Sequence, residues 1–260
     1  MNASRTITGG LNSRRMLDKD KNRYWILVND NNSIMDPTYL NPTAIIDSDH
    51  RKIVEYAREV AGEARDPLEQ AVRIYYAVRD GIRYDPYYPF YLPEHYRASN
   101  VLASGRGYCV SKASLLCALG RSLGIPSRVG FATVRNHLAT KQLIEFLGSD
   151  LFVYHGYTDF FLEGKWVKAT PAFNKELCAR HRVAPLEFNG REDSIFQPFN
   201  QANNRFMEYL DFLGTYDDIP VGEIVKAWEK AYGHDRVQGW IAGFESKKQK
   251  RNFYKEEVIQ

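Results

Sequence analysis

A domain of mixed helices and strands is the fold class that the sequence predicts, and three observations predict it. Leu68 to Val78 carries apolar residues at helical spacing behind a capping signal, and Val110 to Leu123 is a second helix, apolar nearly all round. Phe152 to Thr170 alternates as a β-hairpin about Glu163-Gly164. The chain has 260 residues and an apolar share of 44%, which allows a sizeable core in one large domain or two small ones. No internal repeat or low-complexity block interrupts it. The expected organisation is an N-terminal arm over 1–40, a core over 41–200 and a C-terminal helical extension over 201–260, packed on the core.

Composition narrows the function classes. Lys and Arg total 35 against 32 Asp and Glu, a formal net charge of +3, too weak a field to imply a nucleic-acid partner. Three cysteines, an odd number in a chain this long, do not form the disulfide framework of a secreted domain and fit a reducing compartment. Met1 to Arg23 is polar and charged, without the apolar stretch of a secretory signal, and no later run approaches the ~20 apolar residues that cross a bilayer. The expectation is a cytoplasmic protein without a membrane partner.

Along the chain, Tyr24 to Val28 reads as a short strand followed by a turn over Asn29 to Ser33, and Lys52 to Glu63 as a helix. The next helix has Asp66 at the N-cap, Pro67 at its first position and Glu69 completing a capping box, and ends near Asp80-Gly81. An aromatic loop follows, with Tyr84, Tyr87, Tyr88, Phe90, Tyr91 and Tyr96 broken by Pro86, Pro89 and Pro93, which exclude a long regular element. Most of these rings are expected to pack the loop onto the core. Ser127 to Val134 reads as a strand and Leu138 to Leu147 as a helix. The apolar stripe of Val221, Ile224, Val225, Trp228 and Tyr232 is a packing helix, and Lys247, Lys248, Lys250 and Arg251 form a solvated end.

The chemistry begins at Gly105-Arg106-Gly107-Tyr108-Cys109. Cys109 stands at the N-terminus of the apolar helix, where unpaired N–H groups and the macrodipole favour a thiolate and could also stabilise an oxyanion. Gly124 and Pro126 stop that helix. Cys117 lies eight residues further along it, ~12 Å away, too far for a disulfide, and is a core cysteine. His155 opens the hairpin. With Glu163-Gly164 as a two-residue loop, Leu162 pairs with Lys165, and Thr170 and Asn174 become diagonal neighbours of His155, either able to orient the imidazole. Asp159 is about 13 Å from it along the strand and is a poor partner.

Other constellations fail. Asp18, Asp20 and Asn22 imitate a calcium loop, but Arg23 replaces its glycine and Asn29 stands where the bidentate glutamate belongs. Cys178 and His181 lack a second pair for zinc, and His137 reads as a polar loop residue. No metal and no cofactor are expected.

These residues resemble the transglutaminase-like superfamily, which in the wider fold sense includes papain-like cysteine peptidases; the bacterial transglutaminase-like domain proteins are the nearest type. The resemblance runs from about Glu55 to Asn174. It rests on Gly107-Tyr108-Cys109, Leu115-Leu116-Cys117-Ala118-Leu119, Gly124-Ile125-Pro126-Ser127-Arg128-Val129, His155, and Leu162-Glu163-Gly164-Lys165-Trp166-Val167-Lys168-Ala169-Thr170-Pro171, in the family's order. The resemblance implies an α+β core with the nucleophilic cysteine on a helix packed against an antiparallel sheet that carries the histidine and a third, usually aspartate, residue. Here Thr170 stands at the aspartate's position, and a hydroxyl accepts a hydrogen bond but cannot stabilise an imidazolium by charge. Asn174 would supply a papain-like Cys109-His155-Asn174 arrangement if the strand continued past Pro171. Two functions follow: a thiol acyl-transfer enzyme acting on a peptide or protein substrate, either a cysteine peptidase, an amidase or a transglutaminase, or a catalytically weakened domain that binds peptides or proteins.

Overall fold

The computed structural model describes residues 13–19, 22–28, 34–137, 139–196, 205–246 and 251–257. The turn expected over 29–33, the helix start at 138 and the lysines at 247, 248 and 250 lie outside these residues. So does the loop of the calcium imitation, at 20 and 21.

Strands β1 (Ser13–Lys19), β2 (Asn22–Val28) and β3 (Ile34–Met35) form a small antiparallel sheet. Only its middle strand was legible in the sequence. Helix α1 (Arg51–Ala61) ends two residues short of the expected limit, because Gly62 turns the chain with φ 56°. Helix α2 (Pro67–Gly81) starts on Asp66, whose carboxylate accepts from Leu68 N at 3.4 Å. The capping box does not close: Glu69 pairs with Arg73 at 2.7 Å, one turn further on, where a guanidinium outcompetes a backbone N–H for the carboxylate.

Strand β4 (Arg83–Tyr84), helix α3 (Ala98–Ser104) and strand β5 (Arg106–Gly107) bracket the aromatic loop, and β4 pairs with β5 in parallel. Tyr84, Tyr87, Tyr88, Phe90 and Tyr96 are buried, so the rings do pack the loop onto the core. Helix α4 (Cys109–Ser122) is buried at every position from Cys109 to Arg121, as its all-round apolar sequence requires.

Strand β6 (Ser127–Asn136), helix α5 (Lys141–Leu147), strands β7 (Leu151–Leu162) and β8 (Lys165–Ala169), helix α6 (Lys175–Arg180) and strand β9 (Met207–Tyr216) follow. Helices α7 (Val221–Tyr232) and α8 (His234–Glu245) come next, and a short 3-10 turn over Phe253–Lys255 follows them. The main sheet is antiparallel in the order β8-β7-β6-β9. The β7–β8 turn has the left-handed pair Glu163 (φ 46°) and Gly164 (φ 84°), the conformation a two-residue hairpin loop demands, and Leu162 pairs with Lys165. The segment expected to be helical after 200 therefore first adds an edge strand, β9, to the sheet.

Helix α4 lies on one face of this sheet, an α+β arrangement. Two glycines allow the approach: a Cβ on Gly120 would come within 2.5 Å of the Phe160 ring, and one on Gly156 within 2.8 Å of Val110 Cα. Between them Thr158 Oγ1 donates to the Ala113 carbonyl at 2.9 Å. Gly156, Thr158 and Phe160 thus form the face of β7 turned to the helix. Apolar residues from Ile45 to Phe253 join one continuous core, to which α7 contributes the fully buried Ile224 and most of Tyr232.

Candidate active site

Cys109 occupies the first position of α4, after Tyr108 at the N-cap. Ser111 Oγ accepts from Tyr108 N at 2.9 Å and closes the first turn. Tyr108 is held from the aromatic loop: its hydroxyl donates to Tyr96 Oη at 2.6 Å, which donates to the Phe90 carbonyl at 2.5 Å. Cys109 is only 6% exposed. Burial pushes its pKa up to about 11, against the pull of the N–H groups of Gly156, Val110 and Cys109 itself and of the Lys112 charge. The helix N-terminus favours the thiolate as the sequence implied, but desolvation is the larger effect and the resting sulfur is a thiol. Cys117 and Cys178, both buried and free, are also pushed up to about 11.

His155 enters from β7 through an irregularity. Ala132 faces His155 and Val134 faces Phe152, so Thr133 alone opposes both Val153 and Tyr154. This is a β-bulge, and Tyr154 within it has φ 59°, a conformation that costs a bulky residue ~1–3 kcal/mol. Helix α7 holds the bulge: Tyr232 Oη accepts from Val153 N at 2.9 Å and donates to the Leu151 carbonyl at 3.0 Å, and Trp228 Nε1 donates to the Val153 carbonyl at 2.8 Å. The imidazole is 4% exposed, and burial alone drives its pKa down to about 4, so it is neutral at pH 7. Its ring packs against Phe196 (centroids 5.6 Å) and Tyr209 of β9 (6.2 Å). Its Nε2 is buried and without a hydrogen-bond partner.

Thr170 is the next residue after β8. Its N–H donates to the Ser194 carbonyl at 3.1 Å and its carbonyl accepts from Tyr75 Oη at 3.2 Å. Burial pushes the Tyr209 phenol well above its ordinary value, against the weaker pull of the Phe196 backbone and of the nearby Thr170 hydroxyl, and neither hydroxyl oxygen completes a hydrogen bond. Tyr209 also feels the Cys109 sulfur. Tyr209 is the residue these observations share: its ring lies beside that of His155, and its hydroxyl is near that of Thr170 and within electrostatic range of Cys109.

Asn174 does not belong to this group. Pairing of β8 with β7 stops at Thr158–Ala169, and the chain turns to Ser194, so the strand extension that would have carried Asn174 to His155 is missing. Asn174 is the N-cap residue of α6. Its Oδ1 accepts from Tyr84 N at 2.7 Å, and its Nδ2 donates to the carbonyls of Ile82 (2.9 Å), Asp80 (3.3 Å) and Arg79 (2.5 Å). It finishes helix α2, together with the buried Lys112, whose Nζ donates to the Arg79 and Ile82 carbonyls at 2.9 and 2.6 Å. Asp159, set aside in the sequence, pairs with Arg128 at 3.1 Å across β6 and β7.

Tyr209 and Gly156 were missed by sequence reasoning. Tyr209 lies beyond the hairpin on a strand whose alternation is broken by bulges against β6. Gly156 carried a signal, a glycine inside a strand next to the histidine, which marks a close backbone approach. Among the described residues no three or more His, Cys, Asp or Glu side chains gather as a metal site, and no helix is long and apolar enough to cross a membrane. Cys178 Sγ lies 4.0 Å from the Phe173 carbonyl, and the His181 ring stacks on Phe253.

Residues 54–171 match the model of the transglutaminase-like superfamily. This segment is a transglutaminase-like core and belongs to that superfamily; it contains Cys109, His155 and Thr170 and stops short of Asn174. No curated protein sequence matches the chain. Among solved structures, a candidate cysteine protease from Cytophaga hutchinsonii is similar at 16% identity and a TM-score of 0.40, over 68% of this chain and 53% of that one. A candidate protease from Parabacteroides distasonis is similar at 16% identity and a TM-score of 0.34, over 62% and 37% of the respective chains. The chain thus spans about half of the first and about a third of the second.

Proposed function

We propose that this protein is a thiol-dependent acyl-transfer enzyme acting on amide bonds of a peptide or protein, with Cys109 as nucleophile and His155 as general base. The observation that carries this reading is a thiol seated on N–H groups at a helix start, with Tyr209 in its electrostatic range and packed beside His155, whose Nε2 is buried without a hydrogen-bond partner. An orphaned polar atom in a folded interior costs ~1–3 kcal/mol, which a bound substrate group would relieve.

In the reaction, Sγ forms a bond to the amide carbon while the thiol proton passes to the imidazole. The carbonyl π electrons move to oxygen, where the N–H groups of Cys109, Val110 and Gly156 receive the negative charge. The imidazolium returns its proton to the leaving nitrogen as the C–N bond breaks. Water, or an amine, then adds to the thioester with His155 again taking the proton, and the thiol is released. Water makes the protein a peptidase or amidase, an amine a transglutaminase.

A binding module is the second reading, favoured by the hydroxyl of Thr170 at the aspartate's position. Labelling with a thiol-directed electrophile over a pH series, read by peptide mass, separates the two. The enzyme reading expects Cys109 to react faster than Cys117 and Cys178, and His155→Ala to remove the advantage; equal rates at the three cysteines refute it. Peptide substrates offered with and without a primary amine then distinguish hydrolysis from transfer by product mass.

A further inference from the structure

A second feature of the surface deepens this reading and rests on it. Strands β4 and β5 set Arg83 directly beside Arg106, because they pair in parallel register with Tyr84 beside Gly107. Two like charges opposed on neighbouring strands repel. The repulsion is offset on one side only: Arg106 Nη1 lies 3.0 Å from Asp85, whereas Arg83 receives a ring, with its guanidinium 3.9 Å from the centroid of Tyr254. The two arginines line a cleft of about 330 Å³ together with Tyr84, Asp85 and the segment Arg251, Asn252, Phe253 and Tyr254. Three arginines and one carboxylate, Asp85, thus line the cleft, and Asp85 also accepts from Tyr87 N at 3.0 Å.

The cleft lies close to Cys109 along the backbone: Tyr84 in its lining pairs with Gly107, two residues before Cys109, and Arg106 precedes Cys109 by three residues on the same run of chain. A substrate segment lying in the cleft would run toward the helix N-terminus that carries the nucleophile.

We propose that this cleft binds a substrate carboxylate next to the scissile amide, so that the site prefers acidic peptides. A carboxylate matches the fork of a guanidinium and gains a charge-assisted bond from each arginine it meets. Arg83 is the main donor, since Arg106 is shared with Asp85. The carboxylate comes from an acidic side chain or from a peptide C-terminus, and both present the same chemistry.

The test reads binding on the full-length Cys109→Ala protein, which cannot turn substrate over. Three fluorescein-labelled peptides of one length are compared by anisotropy: one with a glutamate and an amidated end, one with glutamine and a free carboxylate end, and one with glutamine and an amidated end. One of the first two is expected to bind about tenfold more tightly than the third, with the difference shrinking as salt rises. Which of the two it is names the source of the carboxylate. The Arg83→Gln/Arg106→Gln variant is expected to lose the difference. Asp85→Asn, which removes the competing carboxylate and keeps an acceptor for Tyr87 N, is expected to increase it. Equal binding of the three peptides, or a preference untouched by either variant, overturns the proposal. Turnover of the same peptides by the native protein is measured separately: tight carboxylate binding without turnover refutes the acyl-transfer reading alone, and turnover without carboxylate preference refutes the cleft alone.

Discussion

Burial drives Cys109 and His155 in opposite directions on the pH scale, and each shift carries a stability consequence with a definite sign. The unfolded chain holds a histidine of pKa 6.5, whereas His155 in the fold is pushed down to about 4. Between these values the unfolded state binds a proton that the folded state refuses, so this contribution is complete above pH 6.5 and is lost as pH falls toward 4. Cys109 behaves conversely: its pKa rises from 9.0 to about 11, so its contribution is complete below pH 9 and disappears as pH rises toward 11. Urea unfolding across the acid range is expected to show a weaker loss of stability in His155→Phe than in the native chain; identical slopes would contradict the burial of a neutral imidazole. The placement of Cys109 at a helix start and of His155 on the hairpin was legible in the sequence, because a glycine-flanked helix start and a hairpin entry are local patterns. Tyr209 was not legible. It reaches the site from an edge strand more than fifty residues after the histidine, and what brings it there is sheet order, which no spacing encodes. Asn174 was read wrongly for a related reason: extrapolating the hairpin register past Pro171 ignored Ser194, which takes the next backbone bonds.

The elements divide the work of presenting the site. Helix α4 and the hairpin could be recognised from period and turn chemistry. The bulge at Val153-Tyr154 could not, since it exists because α7 supplies bonds that β6 does not. Three bonds from Tyr232 and Trp228 occupy Val153 and Leu151 at the point where the ladder slips, and they hold the residue before His155 in a left-handed conformation. The stripe Val221 to Tyr232 was read as packing, which it is, but its polar tips do as much as its apolar sides. Tyr232→Phe keeps the ring and removes the acceptor for Val153 N. A loss of ~1–3 kcal/mol is expected by chemical denaturation, together with slower labelling of Cys109 in the folded protein; a loss of stability with unchanged labelling would mean that the bulge does not position the histidine.

At the scale of the molecule, the chain closes on itself through its last described segment. Glu256 is buried and accepts from Tyr87 Oη at 2.6 Å and from Thr140 Oγ1 at 2.5 Å, and Arg180 donates to its carbonyl. Phe253 lies among Tyr84, Tyr87 and His181. The aromatic loop, the start of α5 and the end of α6 are thereby tied together by one strap. The sequence suggested a solvated basic end and offered no sign of this, because a buried glutamate looks like any surface glutamate until its two hydroxyl partners, 169 and 116 residues away, are known. Glu256→Ala strands both hydroxyls and is expected to cost ~1–3 kcal/mol, a fall in melting temperature of about 2–4 °C per kcal/mol for a chain of this size. Calorimetry checks it.

The depth at which Cys109 sits has one more effect. Peroxide and other oxidants consume thiolates that solvent can reach, and a buried cysteine with its pKa pushed up to about 11 offers neither charge nor access. The burial that keeps Cys109 a thiol also shelters it from oxidation, so the resting protein carries this sulfur in a chemically quiet form.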